Sequence, residues 1–234
     1  MNTALTSLIR SELLQTEGVR RLPTARRFTS LLTSETAPES LLFLDSGFVK
    51  IIRRGGDPKK DAKELILSLI GPGEIFAEHA LLHRVARPFN AEMLQEGVIY
   101  EIPRDSFLAF CRRHPEVWQM LWEVAIHRQL EAEQKTSLLC LEDVEFRILY
   151  YLAKLAPQFG APTSDQEEYA LPLSQSELAS LVGATRETIS TTLNALSRQG
   201  VVRLGRRLVT VRSLEAVRHA SRSRTAKAAH GGGG

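Results

Sequence analysis

The sequence predicts an α+β fold in three parts, and three observations predict it. Between Leu41 and Pro103, short apolar runs recur between glycine- and proline-bearing turns, the pattern of a compact antiparallel barrel or sandwich. From Pro115 to Leu141 the chain reads as one unbroken helix. After Ser174, two short amphipathic segments flank a glycine, and two alternating segments follow them. A residue period near 3.6 marks helix and a period of two marks strand, so the change of period along the chain marks the change of architecture.

Length and composition set outer bounds. A chain of 234 residues can bury one large core or two modest ones. No apolar run approaches the roughly 20 residues that cross a bilayer, so no membrane role is expected. The start, MNTALTSLIRSELLQ, lacks the basic end and continuous apolar core of a secretion signal. Only Cys111 and Cys140 occur and neither sits in a CxxC pair, which excludes a disulfide framework and suits the reducing cytoplasm. Charge is unevenly placed. From Ser174 onward there are ten Lys or Arg against three Asp or Glu, whereas Met1–Leu173 holds twenty against twenty-four. A basic C-terminal part attracts phosphates without regard to sequence. Ser221–Gly234 reads as a flexible end.

Taken in order, Asn2–Gln15 forms an amphipathic helix with Leu5, Leu8, Ile9 and Leu13 on one side. Leu41–Gly56 is strand, a turn at Asp45–Gly47, then strand. Glu64–Phe76 repeats this around Gly71-Pro72-Gly73, and Gly97–Pro103 closes the series; Gly18–Ser40 shows no clear strands. Arg104–Cys111 is a brief helix, and Pro115 suits the first turn of the next, where its missing N–H is harmless. Along that long helix Trp118, Leu121, Ala125, Arg128, Ala132, Lys135 and Leu139 recur at alternating three and four, a seam suited to pairing helices or to packing on the chain's own strands. Glu142–Asp143 cap a further helix that ends before Pro157; Pro157–Glu168 is loop, and Tyr169–Leu173 is strand.

The richest stretch is Ser174–Val211. Ser174 with Glu177 makes a capping box, and Leu178, Leu181 and Val182 give the helix an apolar side that Gly183 ends. Thr185 caps a second helix carrying Ile189, Leu193 and Leu196 inward. Gly200 ends it, and Val201–Leu204 pairs with Leu208–Val211 around Gly205–Arg207. This is a helix-turn-helix with a wing, and its second helix is the one that enters a major groove. At that helix's exposed start, Arg186, Glu187, Ser190 and Thr191 are the candidates to read base edges: arginine donates twice to guanine, and carboxylate accepts from the cytosine amino group. Ser174, Thr185 and Thr188, with Arg203, Arg206 and Arg207 of the wing, are the candidates to hold phosphates.

Glu177, Ala179, Gly183, Arg186, Glu187, Thr188, Ser190 and Leu193 together resemble the DNA-binding motif of the CRP/FNR family of bacterial transcription regulators. Thr191 departs from it, since members commonly carry a base-reading arginine there. The segments DSGFVKI and LIGPGEIFAE resemble the glycine turns of the family's cyclic-nucleotide-binding-type β-roll. The resemblance therefore implies an N-terminal antiparallel, jelly-roll-like β-roll sensor over residues 1–114, a long dimerisation helix over 115–141, a winged helix-turn-helix over 142–220 and a tail over 221–234. It implies double-stranded DNA as partner and a homodimer through Trp118, Leu121, Ala125, Arg128 and Ala132, with RNA polymerase as a further partner.

Members that bind cyclic AMP carry Gly-Glu-Leu, a loop, then Arg-Ser-Ala or Arg-Thr-Ala. Here Glu78 and Arg87 match, with Ala132 and Glu133 where the base would lie. Ala77 replaces the glycine and Pro88 the hydroxyl residue, and proline removes both a hydroxyl and an amide donor. An Arg87 without its anion would bond Glu78 or Glu92. Haem through His79 or His83, spaced i, i+4, lacks a supporting pattern, and two scattered cysteines cannot hold an iron–sulfur cluster. No resident cofactor or metal is expected, and a regulator set by its abundance alone stays open. Glycine-rich phosphate loops, nucleophile elbows and metal-ligand triads do not occur in the sequence, so no enzyme is expected. The alternative function is a nucleotide-binding module that acts on a protein partner.

Overall fold

The computed structural model describes residues 3–33, 39–56, 63–82, 89–162, 168–215 and 217. The chain divides into two compact units, Met1–Glu133 and Gln134–Gly234, and the division falls inside its longest helix.

In the first unit, helix α1 (Thr3–Ser11) buries Leu5 and Ile9, and a tight 3₁₀ turn at Leu13–Gln15 buries Leu13 in the same line. Then come β1 (Arg20–Arg21), β2 (Ser30–Leu32), β3 (Ser40–Leu44), β4 (Phe48–Gly55), β5 (Lys63–Ile70), β6 (Glu74–Phe76), β7 (Asn90–Gln95) and β8 (Ile99–Pro103). Among the described residues they form two antiparallel sheets, ordered β1-β8-β3-β6 and β2-β7-β4-β5. Strand β3 reads LLFL because both of its faces are covered. Leu41 and Phe43 join Leu5, Ile9, Phe107 and Phe110 on the helical side. Leu42 and Leu44 meet Val49, Ile51, Phe76 and Met93 on the side of the other sheet. The tips of two connections touch: a Cβ at Gly97 would stand 1.8 Å from the Ser46 carbonyl oxygen, so only glycine fits there.

Three strands escape the sequence pattern. β1 and β2, in the stretch without strand signals, have only two and three residues. β7 alternates Ala91 and Met93 with Asn90 and Glu92, and the buried Glu92 disguises it. Its carboxylate lies 3.3 Å from Lys50 Nζ and also pairs with Arg54, so this charge is buried with its partners.

Helices α2 (Arg104–Arg113) and α3 (Glu116–Leu141) follow. The proposed seam on α3 needs correction. Val117 is buried and Leu121 packs on the helical-side core, while Arg128 turns inward to the chain's own strands, its NH2 donating to the Ile75 carbonyl at 2.5 Å. Exposed apolar side chains on α3 include Trp118, Trp122, Ile126 and Leu130, with Ala125 beside them and Leu141 at the helix end. The spacing was read correctly, but every second residue of the predicted stripe lies on the inward face, because a seam of period 3.5 fits either flank of a helix. Among the described residues, no helix is long and apolar enough to cross a membrane.

In the second unit, the last turns of α3 lead to α4 (Val144–Phe159), capped by the Asp143 carboxylate accepting from the Phe146 amide at 2.8 Å. Helix α4 does not stop before Pro157 but runs through it. The proline forfeits one backbone bond, yet buried Leu152, Leu155 and Ala156 hold the turn down, and the Gly160 amide closes on the Ala156 carbonyl at 2.9 Å. Short strands β9 (Ala161–Pro162) and β10 (Tyr169–Leu171) follow, then helices α5 (Gln175–Val182) and α6 (Arg186–Arg198) and the hairpin β11 (Val202–Gly205) with β12 (Leu208–Val211). The sheet order is β11-β12-β10-β9. The fold is an N-terminal antiparallel β domain, a long helix and a C-terminal winged helix-turn-helix; residues 221–234 lie outside the described residues.

Candidate nucleic-acid interface

Local chemistry sets the pair α5–α6. The Ser174 hydroxyl accepts from the Glu177 amide at 3.2 Å, and the Ser174 amide donates to Glu177 Oε2 at 2.8 Å, a complete capping box. Gly183, at φ 68°, ends α5 in the left-handed region that a side chain rarely tolerates. Thr185 starts α6, its hydroxyl accepting from the Thr188 amide at 3.2 Å. Ile189, Leu193 and Leu196 are fully buried and lock the rotation of α6 about its axis.

That rotation leaves Arg186, Glu187, Thr188 and Thr191 exposed and Ser190 half-buried, all within the first two turns. The Glu187 carboxyl is held below the usual range by its own backbone amide, then by the Thr185 hydroxyl and Arg186, so it is an acceptor at neutral pH. The exposed face continues to Asn194, one turn beyond the predicted set. Helical spacing from Glu187 and Thr191 was the signal that could have found it, and an asparagine can bond adenine on two atoms.

Several of the predicted phosphate holders are already engaged. The Ser174 hydroxyl donates its one proton to Glu177 Oε2 at 2.7 Å, so it has none left for a phosphate in this state. Arg203 pairs with Glu168 at 2.8 Å, and Arg212 reaches the same carboxylate at 3.5 Å. Arg206 and Arg207 stand exposed at the tip of the wing, where Arg207 takes a left-handed φ of 55°. Thr185 and Thr188 are exposed, with their hydroxyl oxygens 3.0 Å apart.

Of the residues assigned to an effector, Glu78, Ala132 and Glu133 are described. The Glu78 carboxylate is ion-paired to Arg128, which also stands 3.7 Å from Glu74. Glu92 is engaged by Lys50 and Arg54. Ala132 and Glu133 are exposed, and Glu133 accepts from Gln129 at 3.0 Å. Burial raises the Glu74 carboxyl, against the opposing pull of the Gly71 amide and Arg128. Ala77 sits at φ 62°, a conformation made for the glycine it replaces. The carboxylate that would take a ribose hydroxyl is thus held by a guanidinium. His79 is buried with its ring edge-on to Phe89, 5.1 Å between centroids. His83, Arg87 and Pro88 lie outside the described residues. Among those described, no cluster of three His, Cys, Asp or Glu is arranged to hold a metal.

Comparison with known proteins assigns the same two parts. The family model of the cyclic nucleotide-binding domain matches residues 25–114, and that of the Crp-like helix-turn-helix domain matches residues 146–220. The chain is 35% identical over 176 residues to the cyclic AMP receptor protein of Thermus thermophilus, covering 74% of this chain and 76% of that one. It is 29% identical over 177 residues to a CRP-like cAMP-activated global transcriptional regulator of Mycobacterium tuberculosis, covering 76% and 77%. The crystal structure of a CRP/FNR-family transcriptional regulator from Thermus thermophilus superposes with a TM-score of 0.72 at 20% identity, over 88% of this chain and 100% of that chain, a likeness of fold.

Proposed function

The chain belongs to the CRP/FNR family of transcription regulators, DNA-binding proteins that are not enzymes, and on that premise we propose how it reads DNA. Arg186 and Glu187 contact base edges, with Thr191, Ser190 and Asn194 beside them. Thr185 and Thr188 at the start of α6 hold the flanking phosphates, and Arg206 and Arg207 hold the backbone beneath the wing. One observation carries this reading: a capped helix, its rotation fixed by three buried side chains, presents arginine and an ionised carboxylate at its N-terminal end.

The protein acts as a homodimer in this reading. The side of α3 that bears Trp118, Trp122, Ala125 and Ile126 is apolar and exposed, and pairing two copies along it removes that surface from water. A two-fold dimer sets two copies of α6 about 34 Å apart, in successive major grooves. Its setting is the cytoplasm, where the chromosome is, and RNA polymerase is its further partner. Cyclic AMP is not the expected effector, because Arg128 takes the Glu78 carboxylate. Control of a protein partner is not favoured, since the exposed start of α6 is polar and ionic rather than apolar.

Selection of bound fragments from random DNA tests the reading. The expected result is a site of two inverted halves with centres about ten base pairs apart. Enrichment of no sequence at moderate salt would end the proposal. Trp122→Glu is expected to turn a dimer into a folded monomer in sedimentation, and an unchanged dimer would move the interface elsewhere.

A further inference from the structure

Two basic side chains buried behind the helix-turn-helix take no part in the contacts above. Lys135, 8% exposed, extends from α3 and donates to the Leu181 carbonyl at 2.8 Å, with its ammonium 5.4 Å from the Tyr151 ring. Arg147, also 8% exposed, extends from α4. Its guanidinium reaches the Leu139 carbonyl at 3.3 Å, the Glu142 carbonyl at 3.2 Å and the Gly183 carbonyl at 3.4 Å. Leu139 belongs to the last turn of α3 with Glu142 just beyond it, and Leu181 and Gly183 belong to the end of α5. Helix C-termini carry partial negative charge on carbonyls left without partners, so a cation there is held by its charge as well as its hydrogen bonds.

We propose that Lys135, seconded by Arg147, is a positioning residue that clamps the turn of the helix-turn-helix to the end of α3 and so sets how well α6 meets DNA. The proposal rests on the DNA-reading role of α6. Leu181 lies two residues before Gly183, and α6 begins three residues after it, so displacement of this carbonyl displaces the start of α6. The backbone at the turn is otherwise tied by the Gly183 and Ala184 amides, which both donate to the Ala179 carbonyl.

The clamp is sensitive to pH. Burial lowers Lys135 to about 8, and Lys154 of α4 pushes the same way. The packed elements also carry Glu145, Arg147, Tyr150 and Tyr151 on α4 and Glu177 on α5, which is committed to the Ser174 cap; Glu131 and Glu133 precede Lys135 on α3. A lysine depressed in the folded state makes the folded state costlier while it is charged. Stability therefore rises as pH climbs from about 8 toward the ordinary lysine value of 10.5. Over that same window the charged donor to Leu181 is lost, so DNA affinity falls while stability rises. A merely structural lysine would not separate the two.

The test measures binding of a site selected from random DNA, by fluorescence anisotropy between about pH 6.5 and pH 9.5, for the full chain, Lys135→Met and Lys135→Arg. Hydrogen exchange at the Gly183 and Ala184 amides is followed without DNA. Lys135→Met is expected to bind about tenfold more weakly, the loss of one charge-assisted bond, with no step near pH 8 and faster exchange at both amides. Lys135→Arg is expected to bind well with a flat profile, since its charge persists throughout. Wild-type affinity, pH profile and exchange in Lys135→Met would overturn the proposal. If Lys135→Met does not fold, a step near pH 8 retained in Lys135→Arg overturns it and a flat profile supports it. Failure of the wild-type chain to select any site would count against the DNA-reading role, and exchange at the turn would still decide the clamp.

Discussion

The two units treat positive charge differently. In the first, cations meet carboxylates, whether buried like Lys50, half-buried like Arg128 or exposed like Arg54: Arg128 with Glu74 and Glu78, and Lys50 and Arg54 with Glu64 and Glu92. In the second, Lys135 and Arg147 meet backbone carbonyls, and Arg186 and Arg206 stand exposed. Helix α3 carries both habits, for Arg128 belongs to the first unit and Lys135, seven residues later, to the second. The first unit neutralises its charge internally, while the second keeps a surplus that a polyanion can neutralise. Met1–Glu133 holds 17 Lys or Arg against 18 Asp or Glu and Gln134–Gly234 holds 13 against 9, the compositional trace of this division.

The largest expected effect comes from breaking a carboxylate-compensated cation. Arg128→Met leaves the half-buried Glu74 and Glu78 carboxylates without their guanidinium and should cost about 3 kcal/mol in urea unfolding, at the low end for a buried pair because a quarter of each of Arg128 and Glu74 is exposed. A cost near zero would show that the first unit does not depend on internal neutralisation. Arg186→Ala should leave stability alone and lose about 1–3 kcal/mol of binding, concentrated on the preferred site in a competition assay. Unchanged discrimination would remove Arg186 from base reading. Ser174→Ala should cost about 1 kcal/mol of stability through the lost cap, with no change in the salt dependence of DNA binding. A flatter salt dependence would restore Ser174 as a phosphate holder. Smallest is the contrast within the wing. Arg206→Ala should weaken all sequences alike and reduce the salt slope by about one, whereas Arg203→Ala should change it less because Glu168 already balances that charge. Equal slopes would blur the line between paired and spare cations.

The helix-turn-helix was legible almost residue by residue, because its signals are local. Ser174 with Glu177, Gly183, Thr185 and Gly200 each act on backbone within four residues, and the structure reproduces both caps and the left-handed glycines. Spacing on α6 told which side chains face out at its start, and Asn194 and Arg198 farther along were passed over. Where the partner of a side chain is remote in sequence, the reading slipped. Arg128 looked like a seam residue because its acceptors lie on β6 and the turn after it, about fifty residues away. Arg203 looked available because Glu168 lies thirty-five residues earlier. Lys135 was legible only as a member of the seam, since nothing near it in sequence marks a buried cation.

By itself the sequence determined the class of fold, the position and caps of the two DNA-reading helices, the wing and the uneven charge. These follow from period, from glycine and capping chemistry, and from composition, all of which act over a few residues or over none. Only the tertiary structure decided which flank of α3 stays exposed, which carboxylates are already spent on cations, and that a lysine of α3 is tied to the turn between α5 and α6. Those outcomes depend on which distant backbone carbonyl or carboxylate comes within about 3 Å of a given side chain, and packing alone sets that distance.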